Sequence, residues 1–105
     1  METYRYIVRP AEETGALLIE FLDLPANKEF IKHIIHAFES VNVQVVNYGD
    51  LWMNDEIVLN ASSDIGPFTI FRDAADYYFI TANDNPGAIP KLDALLDSAA
   101  HFRKA

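Results

Sequence analysis

Three groups of residues in this chain are of the types that do chemistry. His33 and His36 stand three apart, and Glu29 precedes His33 by four. On a helix those spacings bring imidazole and carboxylate donors to neighbouring surface positions, where a divalent metal would find several ligands. The pattern is short, however, and His33 falls beside the apolar stripe of its segment, so boundary or surface histidines are the expected reading and no cofactor is expected. Ser62, Ser63 and Asp64 offer a hydroxyl and a carboxylate, yet no G-x-S-x-G elbow surrounds either serine. Ser-Ser-Asp ahead of Ile-Gly-Pro is ordinary turn chemistry, in which short polar side chains bond nearby backbone groups. Asp73 and Asp76 form a carboxylate pair around Ala74-Ala75, which reads as a polar hairpin turn before it reads as an acid–base pair. No catalytic residue is assigned.

Other classes are excluded by composition. The four glycines, Gly15, Gly49, Gly66 and Gly87, are too far apart for a phosphate-cradling loop. The 105 residues include no cysteine, so disulfides, thiol nucleophiles and thiolate metal sites are ruled out. No uninterrupted apolar run exceeds four residues, as at Ala16–Ile19, and the first residues lack a signal-peptide core. A soluble, cytoplasmic protein is expected.

The elements that must position these residues follow from periodicity. Thr3 to Arg9 is rich in β-formers and reads as a strand ending at Pro10. Ala16 to Asp23 fits either a second strand or a helix, and the bracketing Gly15 and Pro25 favour the strand. Phe30, Ile31, Ile34, Ile35 and Phe38 recur at helical spacing, giving a first helix from about Pro25 to Glu39. Val41, Val43 and Val45 alternate with polar residues as a strand. Further strands are expected near 55–61, 68–72 and 77–82, an antiparallel meander. Ile89, Leu92, Leu96 and Ala99 share the stripe of a C-terminal helix, with Leu95 and Phe102 beside it and Pro90 in its tolerated first turn. The expected fold is α+β: one domain spanning 1–105, a two-layer sandwich of an antiparallel sheet of five or six strands with two helices packed on one face, in the order ββαββββα.

Charge narrows the partners. The formal net charge is −8, and residues 33–90 alone hold eight acids against one base, Arg72. Such a field disfavours phosphate backbones and anionic membranes, so neither nucleic acid nor a membrane surface is expected as a partner. An acidic surface either keeps the chain solvated or speeds its encounter with a basic protein partner. The sheet supplies a surface for one. With Val41, Val43, Val45, Ile57, Leu59, Phe68 and Ile70 toward the helices, strict alternation sends Val46, Tyr48, Val58, Phe71, Tyr77 and Phe79 to the other side. An apolar second face needs a cover, which the N-terminal hairpin, a second copy or a foreign protein would supply.

The leading reading is therefore a small acidic, non-enzymatic protein-binding or regulatory module. Its anchors are Tyr48, Trp52, Phe71 and Tyr77, and its polar rim is Asp55, Glu56, Asp73 and Asp76. In size and charge the chain resembles small bacterial immunity or inhibitor proteins, a likeness of bulk properties that no motif carries. The rivals are a small-molecule-binding protein or small enzyme with a pocket between the sheet and the first helix, using His33 and His36, and a structural homodimer.

Overall fold

The computed structural model describes residues 4–12, 14–22, 28–51, 56–73, 77–82, 85 and 87–105, with backbone alone at 28–29, 47–51 and 56–57. Its elements in chain order are β1 (Tyr4–Pro10), β2 (Leu17–Phe21), α1 (Lys28–Ala37), a single 3-10 turn (Glu39–Val41), β3 (Gln44–Leu51), β4 (Glu56–Ser62), β5 (Phe68–Arg72), β6 (Tyr78–Thr81), α2 (Ala88–Ser98) and β7 (Phe102–Lys104). The seven strands form one sheet in the order β3-β4-β5-β6-β2-β1-β7. All neighbours are antiparallel except β1 and β7, which are parallel.

The fold class expected from the sequence is met at the level of α+β with two helices, but the sheet is larger and mixed. The added strand is β7, and Phe102, expected beside the apolar stripe of the second helix, belongs to this strand instead. Ser98 ends that helix, Ala99 is already extended (φ −87°, ψ 142°), and three residues then pair with β1 through Tyr4↔Phe102, Arg5↔Arg103 and Tyr6↔Lys104. So short a segment has no period to read.

Two crossovers build the molecule. The chain leaves β2 through α1 to reach the far edge at β3, and leaves β6 through α2 to reach the opposite edge at β7. The pairings make β2 parallel to β3, make β6 parallel to β7, and set the two pairs in opposite directions. Because the crossovers also move in opposite lateral directions, a common hand places both helices on one side of the sheet. The core shows that they share it. Phe30 of α1 meets Tyr4, Phe21 and Tyr78 with ring centroids 4.9, 4.9 and 4.4 Å apart, and Phe38 meets Phe68 edge-on at 5.7 Å. From α2, Ile89, Leu92 and Leu96 are buried in the same cluster. The Tyr6 hydroxyl donates to the Asp93 carboxylate at 2.9 Å, and Lys104 bonds the same carboxylate at 2.8 Å, tying β1 and β7 to α2. Burial, and then the Asp93 carboxylate, push the Tyr6 phenol above its ordinary pKa.

The expected strand at Val41 is corrected. Phe38 N–H reaches both Ile34 and Ile35 carbonyls as α1 tightens, and Asn42 then adopts a left-handed φ of 54°. That conformation breaks the alternation, so Val41 and Val43 pack against the core from a turn and β3 starts only at Gln44. A second irregularity lies between Val45 and Asn47, where a bulge shifts the register. Beyond it Tyr48 pairs with Leu59, a helix-side position, and Gly49 with Val58. Tyr48 is therefore out of step with the outer set to which strict alternation assigned it, because one extra residue inverts the faces.

No helix among the described residues is long and apolar enough to cross a membrane.

Candidate functional site

Both helices end in the same place. The last turn of α1 with the 3-10 turn after it, and the last turn of α2 with the link into β7, enclose a groove of about 350 Å³. All three histidines of the chain line it: His33 and His36 from α1, and His101 from the link. The imidazoles of His33 and His101 lie stacked, 3.9 Å between centroids and 9° from parallel. His33 Nδ1 stands 3.2 Å from the hydroxyl of Tyr4, whose ring is buried beneath. His36 Nδ1 is 3.2 Å from Glu39 Oε2, and both of those side chains are mostly exposed.

His33 and His36, whose spacing suggested a metal, have different partners: His33 meets the Tyr4 hydroxyl and the His101 ring, and His36 the Glu39 carboxylate. Nitrogen lone pairs lie in the ring plane, so the donors of the parallel His33 and His101 rings run side by side and do not converge on one ion. Among the described residues no group of three or more His, Asp or Glu side chains is placed to hold a metal. Sequence spacing had no means of finding His101, which comes to His33 only because β7 returns to the edge beside β1.

The serine and aspartate candidates serve turns. Ser63 Oγ donates to the Gly66 carbonyl at 2.8 Å and accepts the Ile65 N–H at 3.3 Å. Asp64 accepts from the Asn42 amide at 2.8 Å. Asn85 holds the same turn through the Ile65 carbonyl at 2.6 Å. Asp73 closes the β5–β6 hairpin, its carboxylate accepting the Tyr77 N–H at 3.0 Å and its own N–H bonding the Tyr77 carbonyl.

The face of the sheet away from the helices carries the second candidate site. Cross-strand pairs share a face, so the register draws two rows across it. Val58, Phe71, Phe79, Glu20 and Ile7 form one row, and Asn60, Thr69, Thr81, Leu18 and Arg9 the other. In the first row Val58, Phe71, Phe79 and Ile7 are half-buried, none being enclosed as the helix-side residues are. Arg9 and Glu20 pair at 2.6 Å between the rows. Where the β1–β2 turn rises beside this surface, a concavity of about 490 Å³ opens over Leu18, Phe71, Phe79 and Thr81. Its turn depends on Gly15, at φ 71°, whose N–H bonds the Ala11 carbonyl.

Of the sequence-derived anchors, Phe71 lies on this face and Tyr77 is exposed just ahead of β6. Glu56 opens β4 and Asp73 follows β5, at the same end of the meander. Trp52, Asp55 and Asp76 lie outside the described residues. Phe79 and Ile7 complete the apolar row, and the pairing of β2 with both β1 and β6 is what brings Ile7 to it. The described charges of β1 and β7 are Arg5, Arg9, Arg103 and Lys104, so that flank of the sheet is basic whereas the chain as a whole is acidic.

Neither protein-family models, curated proteins nor solved structures yield a match to this chain.

Proposed function

We propose that this chain is a non-enzymatic binding module that docks a protein on the sheet face opposite its helices. The carrying observation is the run of Val58, Phe71 and Phe79 on three neighbouring strands, with Ile7 beyond Glu20, on the side that neither helix covers. Half-exposed aromatic and aliphatic side chains on adjacent strands, rimmed by polar groups, have the composition of a docking surface. Phe71 and Phe79 are its central anchors, with Tyr77 at the margin, because desolvated aromatics carry most of the energy of such contacts. Residues 33–72 contain five acids and one base, Arg72, so the half of the sheet from β3 to β5 steers toward a basic partner surface. Glu56 at the start of β4 and Asp73 after β5 belong to this reading as its acidic end. The partner is a protein whose contact surface is apolar at its centre and basic toward that end, and whose activity the module regulates by occupying it.

The test is affinity capture from the native lysate with the wild-type chain and with Phe71→Ser/Phe79→Ser, both checked for folding by circular dichroism. A protein held by the wild type is expected to fall at least about tenfold in recovery with the double variant, the loss typical of removing two anchors. Equal recovery with the folded variant would overturn the assignment. Light scattering over a concentration series addresses self-association, since a dimer that dissociates in Phe71→Ser/Phe79→Ser would make a second copy the occupant.

A further inference from the structure

We infer that the groove between the C-terminal ends of α1 and α2 is a binding site for a small aromatic cation, a flat ring carrying a protonated amine. The groove is independent of the sheet face on which protein docking is proposed.

Its electrostatics select the sign. The C-terminal end of each helix bears partial negative charge from its aligned peptide dipoles, and here two such ends border one groove, that of α1 at its 3-10 turn and that of α2 at the link into β7. Helices commonly place Lys or Arg there in compensation, but α2 has no basic residue in its last turn and α1 has only His36. Glu39 adds a carboxylate, and no Lys or Arg is among the groove's described lining residues. His36 touches Glu39 at 3.2 Å, but both are exposed, so water screens that pair and leaves the carboxylate open to an ammonium group.

The walls select the shape. Ala37, Ser40, Ser98, Ala99 and Ala100 are small and leave a slot between the helix ends. Half-buried His33 and His101 present imidazole rings to it, and their mutual stacking keeps those rings parallel. A third aromatic ring fits against such a pair by offset stacking. Leu95 and Phe102 supply apolar contact. At about 350 Å³ the cavity lies at the lower end of the ~300–1,000 Å³ typical of small-molecule sites, which suits one or two fused rings. A flat apolar body with an ammonium tail satisfies both features at once. An aliphatic amine lacks the stacking, and an aromatic carboxylate meets Glu39 and two negative helix ends.

Three probes separate these contributions: tryptamine, indole-3-propionate of similar size but opposite charge, and butylamine without a ring. Binding is followed by calorimetry and by the imidazole proton shifts of His33 and His101 in one common buffer. Tryptamine is expected to bind at least about tenfold more tightly than either of the others and to shift both histidines. Glu39→Gln, at an exposed position that cannot unfold the chain, is expected to weaken tryptamine about threefold or more and to narrow its advantage over the anion. Ser98→Trp, which fills the slot from an exposed helix position, is expected to weaken it about tenfold or more with the fold retained. Comparable binding of the cationic and anionic indoles, undisturbed His33 and His101 signals, or full tryptamine affinity in folded Ser98→Trp would each overturn the inference.

Discussion

Replacing Phe102 with alanine removes the ring through which the last strand joins the core. That ring is 5% exposed and lies 5.5 Å from Tyr4, 5.8 Å from Phe21 and 6.3 Å from Phe30, centroid to centroid. Truncating a buried phenylalanine costs about 3–5 kcal/mol, from lost transfer free energy plus the cavity left behind. Because β7 is a three-residue edge strand whose neighbours can relax into the space, the lower value of about 3 kcal/mol is expected. Against a total stability of about 5–15 kcal/mol that is a large fraction, and it lowers the melting temperature by on the order of 20 °C. Urea unfolding followed by circular dichroism measures it. Hydrogen exchange locates it, since the Tyr4 amide donates to the His101 carbonyl at 2.8 Å and the Ala105 amide to the Tyr6 carbonyl at 2.9 Å. Both amides should exchange slowly in the wild type and lose that protection in Phe102→Ala. A loss below about 1 kcal/mol, with both amides still protected, would show that Phe102 does not anchor β7 and would refute the reasoning.

Tyr6→Phe is expected to cost about 1–2 kcal/mol at neutral pH, because it deletes the hydrogen bond to the Asp93 carboxylate at 2.9 Å. The Tyr6 pKa is raised on folding, so its contribution is complete below the unfolded phenol value of about 10 and is lost as pH rises beyond it. Tyr6→Phe should therefore show a shallower alkaline decline in denaturant-measured stability, and identical slopes would contradict the burial argument. Gly66 sits at φ +100°, and a Cβ there would run into the Asn85 side-chain amide. Gly66→Ala should cost about 2 kcal/mol or more, and less on an Asn85→Ala background; equal costs in a double-mutant cycle would dismiss the clash. Asp73→Ala should lower stability by about 0.5–1.5 kcal/mol and Asp73→Asn by less, because the amide oxygen still accepts the Tyr77 N–H. Equal losses in thermal melts would remove the acceptor role.

Much of the framework was legible in the sequence. Phe30, Ile34 and Phe38 mark the buried face of α1, and Ile89, Leu92 and Leu96 that of α2, because 3.6-residue periodicity records which side a helix buries. The strand reading of Ala16–Asp23 is met by β2, in which Ile19 and Phe21 face the helices and Glu20 the other side. Within β4 to β6, alternation places Leu59, Ile70 and Ile80 inward and Val58, Phe71 and Phe79 outward, as the structure has them. The candidate histidine site was legible only in its α1 half.

What the sequence determined by itself was local: the period of each segment, the sign and distribution of charge, and the chemistries that its residue types exclude. Tertiary structure decided the rest. A single left-handed Asn42 and a bulge after Val45 moved β3 out of simple alternation, and neither interrupts a hydrophobic pattern enough to be read. The pairing of β2 with β6, the return of the last three residues to β1, and the stacking of His33 on His101 join positions far apart in the chain. Periodicity reports which face of an element is buried. Which element covers it is chosen by chain crossovers and by how rings such as Phe30, Phe102 and Tyr78 fill one shared volume.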